Sequence, residues 1–238
     1  MEFNNTPDAV LIIKTYVSAM NISEFDMSTQ AKHVQNSIIN IKKEIYKNGR
    51  SSNAKIVALC NILPYENISW LYSKSDIFAL ATRGEGFGLT ISEAIMHEKP
   101  IVVPDHGGHI DYVDPKSSFL FKGYEHPYVG DPTYDYDMNW YEPDIIDLRK
   151  RLRQTYNLWK EDKDKLRQFG INCKKHVNSS GFDLDSIGHA FFDIIKKESR
   201  VEFDTLAEEV RSYSLDSKKV QLLKDSYKDQ DCYILTCG

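Results

Sequence analysis

The stretch from Ile77 to Asp105, IFALATRGEGFGLTISEAIMHEKPIVVPD, constrains the fold of this chain more than any other. Ile77 to Ala81 is a short apolar run bounded by Asp76 and by Thr82-Arg83-Gly84, which reads as a buried strand. In the loop that follows, Gly84, Gly86 and Gly88 alternate with Glu85 and Phe87, so the backbone can approach a ligand closely. Thr90, with Glu93 three residues on, has capping-box spacing and predicts a helix through Ala94, Ile95 and Met96 to about Glu98. Lys99-Pro100 stops that helix, and Ile101 to Val103 is a second buried strand ending at Pro104. Strand, glycine loop, helix and strand make one βαβ unit, which requires a parallel sheet and hence an α/β fold. A glycine loop opening a helix offers unpaired N–H groups and a positive helix end to an anion, most often phosphate.

Glu85 and Glu93 flank this loop with seven residues between them. Two Glu at that distance are common in any sequence. Set in T-R-G-E-G-F-G-L-T-I-S-E-A, after a strand and before K-P-I-V-V-P, the pair resembles the E-x7-E signature of retaining nucleotide-sugar glycosyltransferases of family 4. That family has the two-Rossmann-domain (GT-B) architecture. The plain alternative is a Rossmann-like unit whose Glu93 only caps its helix.

The resemblance covers Ala9 to Lys197. It implies a Rossmann-like parallel sheet with helices on both faces, the C-terminal half of a GT-B fold, over residues 1–200. A helical tail, 201–238, follows and reads as cut short. Ala9 to Ile13 is a continuous apolar run and so a buried parallel strand; the resemblance makes it the second strand of the donor-binding domain. The first strand, the basic pair expected after it and the N-terminal acceptor-binding domain have no counterpart. Lys14 either faces the nucleotide or is a solvated strand-end lysine.

Val34, Ile38, Ile41 and Ile45 recur at helical spacing between Ser28 and Lys47, with Asn48-Gly49 as a stop. Lys55 to Cys60 is another buried strand, followed by Asn61-Ile62-Leu63-Pro64 where open α/β sheets bind ligands. The resemblance makes Ile62 and Leu63 base contacts, although ordinary loop packing accounts for them as well. Tyr65 to Ser75 reads as a short helix with Ile68, Leu71 and Tyr72 inward. A second glycine loop, His106-Gly107-Gly108-His109, matches the family's Gly-Gly turn near the donor.

Ser118 to Lys122 is a short strand. Gly123 to Tyr141 has neither periodicity and is about as long as ordered loops become. It is either a functional loop or an irregular excursion packed by its own aromatics. Trp140-Tyr141-Glu142-Pro143 matches a W-x-E-P element of the family and puts Pro143 early in a helix reaching Trp159, with Ile145, Leu148, Leu152 and Tyr156 inward. Further helices are expected near Asp162 to His176, Leu184 to Lys197, Asp204 to Tyr213 and Ser217 to Tyr227, with a closing strand from Cys232 to Cys237.

The resemblance implies transfer of a sugar from a nucleotide-diphosphate sugar to an acceptor with retention of configuration. Glu85, the catalytic-site carboxylate, holds sugar hydroxyls. Glu93 accepts from the ribose hydroxyls, which suits a carboxylate because its oxygens only accept. The amides of Gly86, Phe87 and Gly88, with Leu89 at the helix start, Arg83 as cation, and Gly107 and Gly108, complete the donor site. In this front-face mechanism the leaving phosphate takes the acceptor's proton, so no general base is needed. The alternative is a non-catalytic nucleotide- or sugar-binding module, or a subunit lacking the acceptor domain. On either reading this chain alone is expected to be inactive, and to self-associate through an uncovered face near Val10 and Ile12.

No cofactor beyond the donor substrate is expected. No metal is expected either: His97, His106 and His109 lie near one another in sequence, but no carboxylate or cysteine completes a ligand set. A net charge of −5 with scattered Lys and Arg excludes a nucleic-acid groove as the leading reading. No apolar run approaches the roughly 18 residues of a membrane helix, and Met1 onward has no signal-peptide pattern. Cys60, Cys173, Cys232 and Cys237 show no paired spacing, which suits reduced thiols in the cytoplasm and makes the sequons at Asn4, Asn21, Asn67 and Asn178 chance matches. A dinucleotide-type Rossmann enzyme is disfavoured because no G-x-G-x-x-G follows the first strand. Nucleotide, sugar and acceptor stay open.

Overall fold

The computed structural model describes residues 3, 6–15, 27–45, 55–60, 62–127 and 138–198. The stop at Asn48-Gly49, the middle of the 123–141 segment, Cys232, Cys237 and every element expected beyond residue 198 lie outside them. Chain contacts divide into two compact units, Met1–Ser180 and Gly181–Gly238.

The first unit is a mixed α/β structure. Strands β1 (Val10–Lys14) and β2 (Lys55–Leu59) pair in parallel, with Val10 opposite Lys55, and helix α1 (Met27–Ile45) connects them. Helix α2 (Tyr65–Lys74) leads to β3 (Phe78–Ala79), then α3 (Leu89–Met96) and β4 (Ile101–Pro104). With β5 (Phe119–Phe121) these strands form a second parallel sheet of order β3-β4-β5. The βαβ unit read from the sequence is therefore present, with a strand shorter than Ile77 to Ala81.

All four residues of β4 are buried. Successive strand residues point to opposite faces, so both faces of β4 are covered. Val102, Phe119, Phe121 and Leu166 form the core there, and Leu148, Leu152 and Phe169 pack against it.

The β1–β2 pair differs. Val10 and Leu11 are each 52% exposed and Ile12 46%, so neither face of β1 is covered by described residues, contrary to the buried strand expected. Val57 of β2 is exposed as well. The physical reason is topological: β1 bonds to β2 alone, and this pair forms its own two-stranded sheet rather than extending the buried one.

Two further corrections concern the segment after β5. Gly123–Pro127 and Asn139–Pro143 are not irregular; they form an antiparallel hairpin stem, β6 and β7, with Gly123 opposite Pro143. Pro143 consequently ends a strand instead of opening a helix. Asp144 caps the helix that follows, α4 (Ile145–Glu161), accepting from the N–H groups of Ile146 and Asp147. Ile145, expected inward, is 58% exposed. Helix α5 (Lys163–Ser179) starts on Asp162 and packs against α3 so closely that a Cβ on Gly170 would lie 2.1 Å from the Glu98 carbonyl oxygen.

In the second unit α6 spans Leu184–Glu198. Among the described residues no helix is long and apolar enough to cross a membrane.

Candidate functional site: two glycine loops at the ends of β3 and β4

Both glycine loops leave the carboxyl ends of β3 and β4, where open α/β sheets place their ligands. The first, Arg83 to Gly88, opens α3. The helix cap is Gly88, held at φ 82°, with no side-chain cap bond. The expected Thr90–Glu93 capping box is absent, because Thr90 already lies inside the helix. A left-handed backbone is cheap only for glycine, so Gly88 sets where the helix begins.

The second loop packs on the first, backbone to backbone. The Gly108 N–H donates to the Glu85 carbonyl at 2.9 Å. A Cβ on Gly108 would lie 1.6 Å from the Gly86 carbonyl oxygen, so only glycine permits this approach. Tyr112, buried below the loop, donates its hydroxyl towards the carbonyls of Phe87 at 2.9 Å and Gly88 at 3.0 Å. Its ring packs against Phe87 in a tilted arrangement, centroids 4.8 Å apart. Burial, with the negative charge of Glu85 nearby, pushes the Tyr112 hydroxyl well above its ordinary range, so it remains a donor.

The expected site residues fall into two groups. Arg83, Glu85, Gly86, Phe87, Gly88 and Leu89 share one loop with Gly107 and Gly108 against it. Phe87 and Leu89 are exposed, at 42% and 71%, and Glu85 is partly exposed. Ile62 and Leu63 follow β2: among the described residues no hydrogen bond joins either to a glycine loop, and Ile62 is 81% exposed.

Glu93 lies one helical turn into α3, half-buried, and accepts the Tyr72 hydroxyl on Oε2 at 3.0 Å. Tyr72 also points its hydroxyl at the Thr90 carbonyl, 3.2 Å away. Burial, then the bond to Glu93, raises the Tyr72 hydroxyl far above the usual tyrosine range.

The histidines are engaged separately. His109 is fully buried, and its Nε2–H donates to the Pro104 carbonyl at 2.8 Å; a carbonyl only accepts, which fixes that tautomer. His106 stacks on Tyr141 at 4.3 Å. Among the described residues no group of three His, Cys, Asp or Glu is arranged to hold a metal ion.

Strand β7 supplies contacts that sequence reasoning missed. The Tyr141 N–H donates to the Arg83 carbonyl at 3.2 Å, and its hydroxyl donates to Asp105 at 2.5 Å. Glu142 takes the Arg83 guanidinium on both oxygens, from Nε at 2.5 Å and from Nη2 at 3.1 Å. The Arg83 guanidinium also sits 4.6 Å from the Trp140 ring centroid. The only sequence signal was the acid among aromatics in Trp140-Tyr141-Glu142-Pro143.

Residues 41–127 match the family model of glycosyl transferases group 1. That span holds both glycine loops, Glu85 and Glu93. Solved structures similar to the chain include a GtfA/B complex, at 14% identity and a TM-score of 0.45, covering 80% of this chain and 36% of that one. Another is the catalytic domain of starch synthase IV from Arabidopsis thaliana bound to ADP and acarbose, at 14% identity and a TM-score of 0.41, covering 71% and 34%. The chain spans about a third of the length of each. No curated protein matches it.

Proposed function

We propose that this chain carries the donor-binding half of a retaining glycosyltransferase that uses a nucleotide-diphosphate sugar. The observation that carries the reading is the pair of glycine loops packed through Gly86 and Gly108, with Glu85 and Glu93 on either side of the first. The match of residues 41–127 to glycosyl transferases group 1 supports it.

In this reading the amides of Gly86, Phe87 and Gly88 and the start of α3 meet the diphosphate, helped by Gly107, Gly108 and Arg83. Glu93, its Oε2 held by Tyr72, offers Oε1 to the ribose hydroxyls. Glu85 accepts from the hydroxyls of the sugar. Ile62 and Leu63, at the end of β2, border the base. Transfer breaks the bond between the anomeric carbon and the phosphate oxygen, and the acceptor oxygen bonds to that carbon from the same face. The acceptor's proton passes to the leaving phosphate, so no residue here acts as base and no metal or other cofactor is invoked.

A second reading, a nucleotide-sugar-binding subunit that works only with a partner, is favoured by the uncovered β1–β2 pair. Titration calorimetry separates the roles within the site. Glu93→Gln should weaken binding of a nucleoside diphosphate by about 1–3 kcal/mol, the scale of a charge-assisted bond. Glu85→Gln should leave the free nucleotide unchanged and weaken only the nucleotide sugar. Equal losses from both would sink this assignment. A radiolabelled-donor assay tests what both readings expect, no transfer to any acceptor by this chain alone, because orienting donor and acceptor together is worth up to about 7–11 kcal/mol.

A further inference from the structure

Three consecutive residues of β7 touch the glycine loops, Tyr141 both of them. Tyr141 bonds the Arg83 carbonyl of the first and Asp105 at the root of the second, and its ring covers His106. Trp140 lies along the Arg83 guanidinium, and Glu142 grips its Nε edge. The stem is itself pinned there, because the Gly123 N–H donates to the Tyr141 hydroxyl at 2.6 Å.

The Arg83–Glu142 pair is bidentate, the one surface geometry in which an ion pair gives directional hold as well as charge. A guanidinium has five N–H groups, and Glu142 uses two of them. With its Nε edge clamped and one face against Trp140, Arg83 is held at the start of the first glycine loop and still carries donors for a second anion.

We propose that Glu142 is a positioning residue of the donor site: it holds Arg83 beside the first glycine loop so that the remaining guanidinium N–H groups bind the donor's diphosphate. The inference rests on the donor-site reading above and deepens it, since it assigns phosphate recognition to a pair formed between that loop and the hairpin.

Simple electrostatics and positioning make opposite forecasts. Removing a negative charge beside an anion site should tighten anion binding; removing the clamp should loosen it, because Arg83 then loses its orientation. The test is calorimetry on the full chain with uridine, guanosine and adenosine 5′-diphosphates, each beside its parent nucleoside. Glu142→Gln should weaken the preferred diphosphate by about tenfold, the scale of one charge-assisted hydrogen bond, and leave the nucleoside unchanged. Glu142→Asp, which keeps the charge, should recover part of the loss. Adding Glu142→Gln to Arg83→Gln should cost nothing beyond Arg83→Gln alone.

Tighter or unchanged diphosphate binding by Glu142→Gln would overturn the proposal while leaving the donor-site reading intact. So would a parallel loss for nucleoside and diphosphate, which would mark the pair as a prop of the loop. If the wild-type chain binds none of the diphosphates, the donor-site reading itself fails, and the positioning role with it.

Discussion

The Tyr72 hydroxyl, on the helix before β3, sits 3.0 Å from Glu93 Oε2, on the helix after it. Tyr72 is buried and Glu93 only partly so, hence this bond restrains one carboxylate oxygen and leaves the other without a side-chain partner among the described hydrogen bonds. Tyr72→Phe should therefore do two separable things. It should lower stability by about 1 kcal/mol, or roughly 2–4 °C in melting temperature for a chain of this size. It should also weaken nucleoside diphosphate binding, since Glu93 must then be ordered on binding. Unchanged affinity with the lower melting temperature would show that Glu93 needs no holding.

A pH effect is expected at the other end of the unit. Asp8 accepts Lys160 Nζ at 2.8 Å and the Tyr156 hydroxyl at 2.7 Å. Those bonds, Lys160 first, hold its carboxyl down at about 2. An unfolded aspartate titrates near 3.9. The folded value is the lower one, so the contribution is fully present above about pH 4 and is lost as pH falls towards 2. The pair is solvent-accessible, which keeps the effect small. NMR titration of the Asp8 carboxyl should give a midpoint near 2; a midpoint near 4 would mean that the contact does not persist in solution.

The βαβ unit was legible because everything that defines it is local. Apolar runs of strand length, alternating glycines and a proline stop each act within a few residues. What depends on partners distant in sequence was not legible. The capping-box reading of Glu93 failed because Gly88 in a left-handed conformation starts the helix, while Tyr72, 21 residues upstream, takes the carboxylate. The hairpin stem was missed because GYEHP and NWYEP have no apolar alternation; their pairing is set by backbone bonds and by the Arg83, Asp105 and His106 contacts. The apolar run at Val10 correctly signals a parallel strand, yet composition cannot say whether anything covers it.

Cys173 offers a check on the core beneath the site. It is fully buried, and that burial pushes its thiol up to about 11. At pH 7.5 such a thiol is ionised far less often than a free thiol near 8.5, of which roughly one in ten is. Alkylation of the native chain followed by peptide mapping should leave Cys173 unlabelled until denaturant is added. Rapid native labelling would show that α5 opens locally.

The glycines give the sharpest contrast. A Cβ on Gly108 would meet the Gly86 carbonyl oxygen at 1.6 Å, so Gly108→Ala must push the two loops apart or rebuild the turn. Overpacking of that kind costs typically about 1–3 kcal/mol, and it also breaks the bond from the Gly108 N–H to Glu85. Gly84 has nothing within 4 Å of its would-be Cβ and no left-handed backbone. Gly84→Ala should accordingly be neutral, or stabilising by about 0.4–1 kcal/mol through the unfolded chain. Thermal melts should rank Gly108→Ala well below wild type and Gly84→Ala at or above it. Nucleoside diphosphate affinity should fall with the first and hold with the second, because only Gly108 sets the distance between the loops. Equal melting temperatures for the two variants would mean that the loops do not pack backbone to backbone.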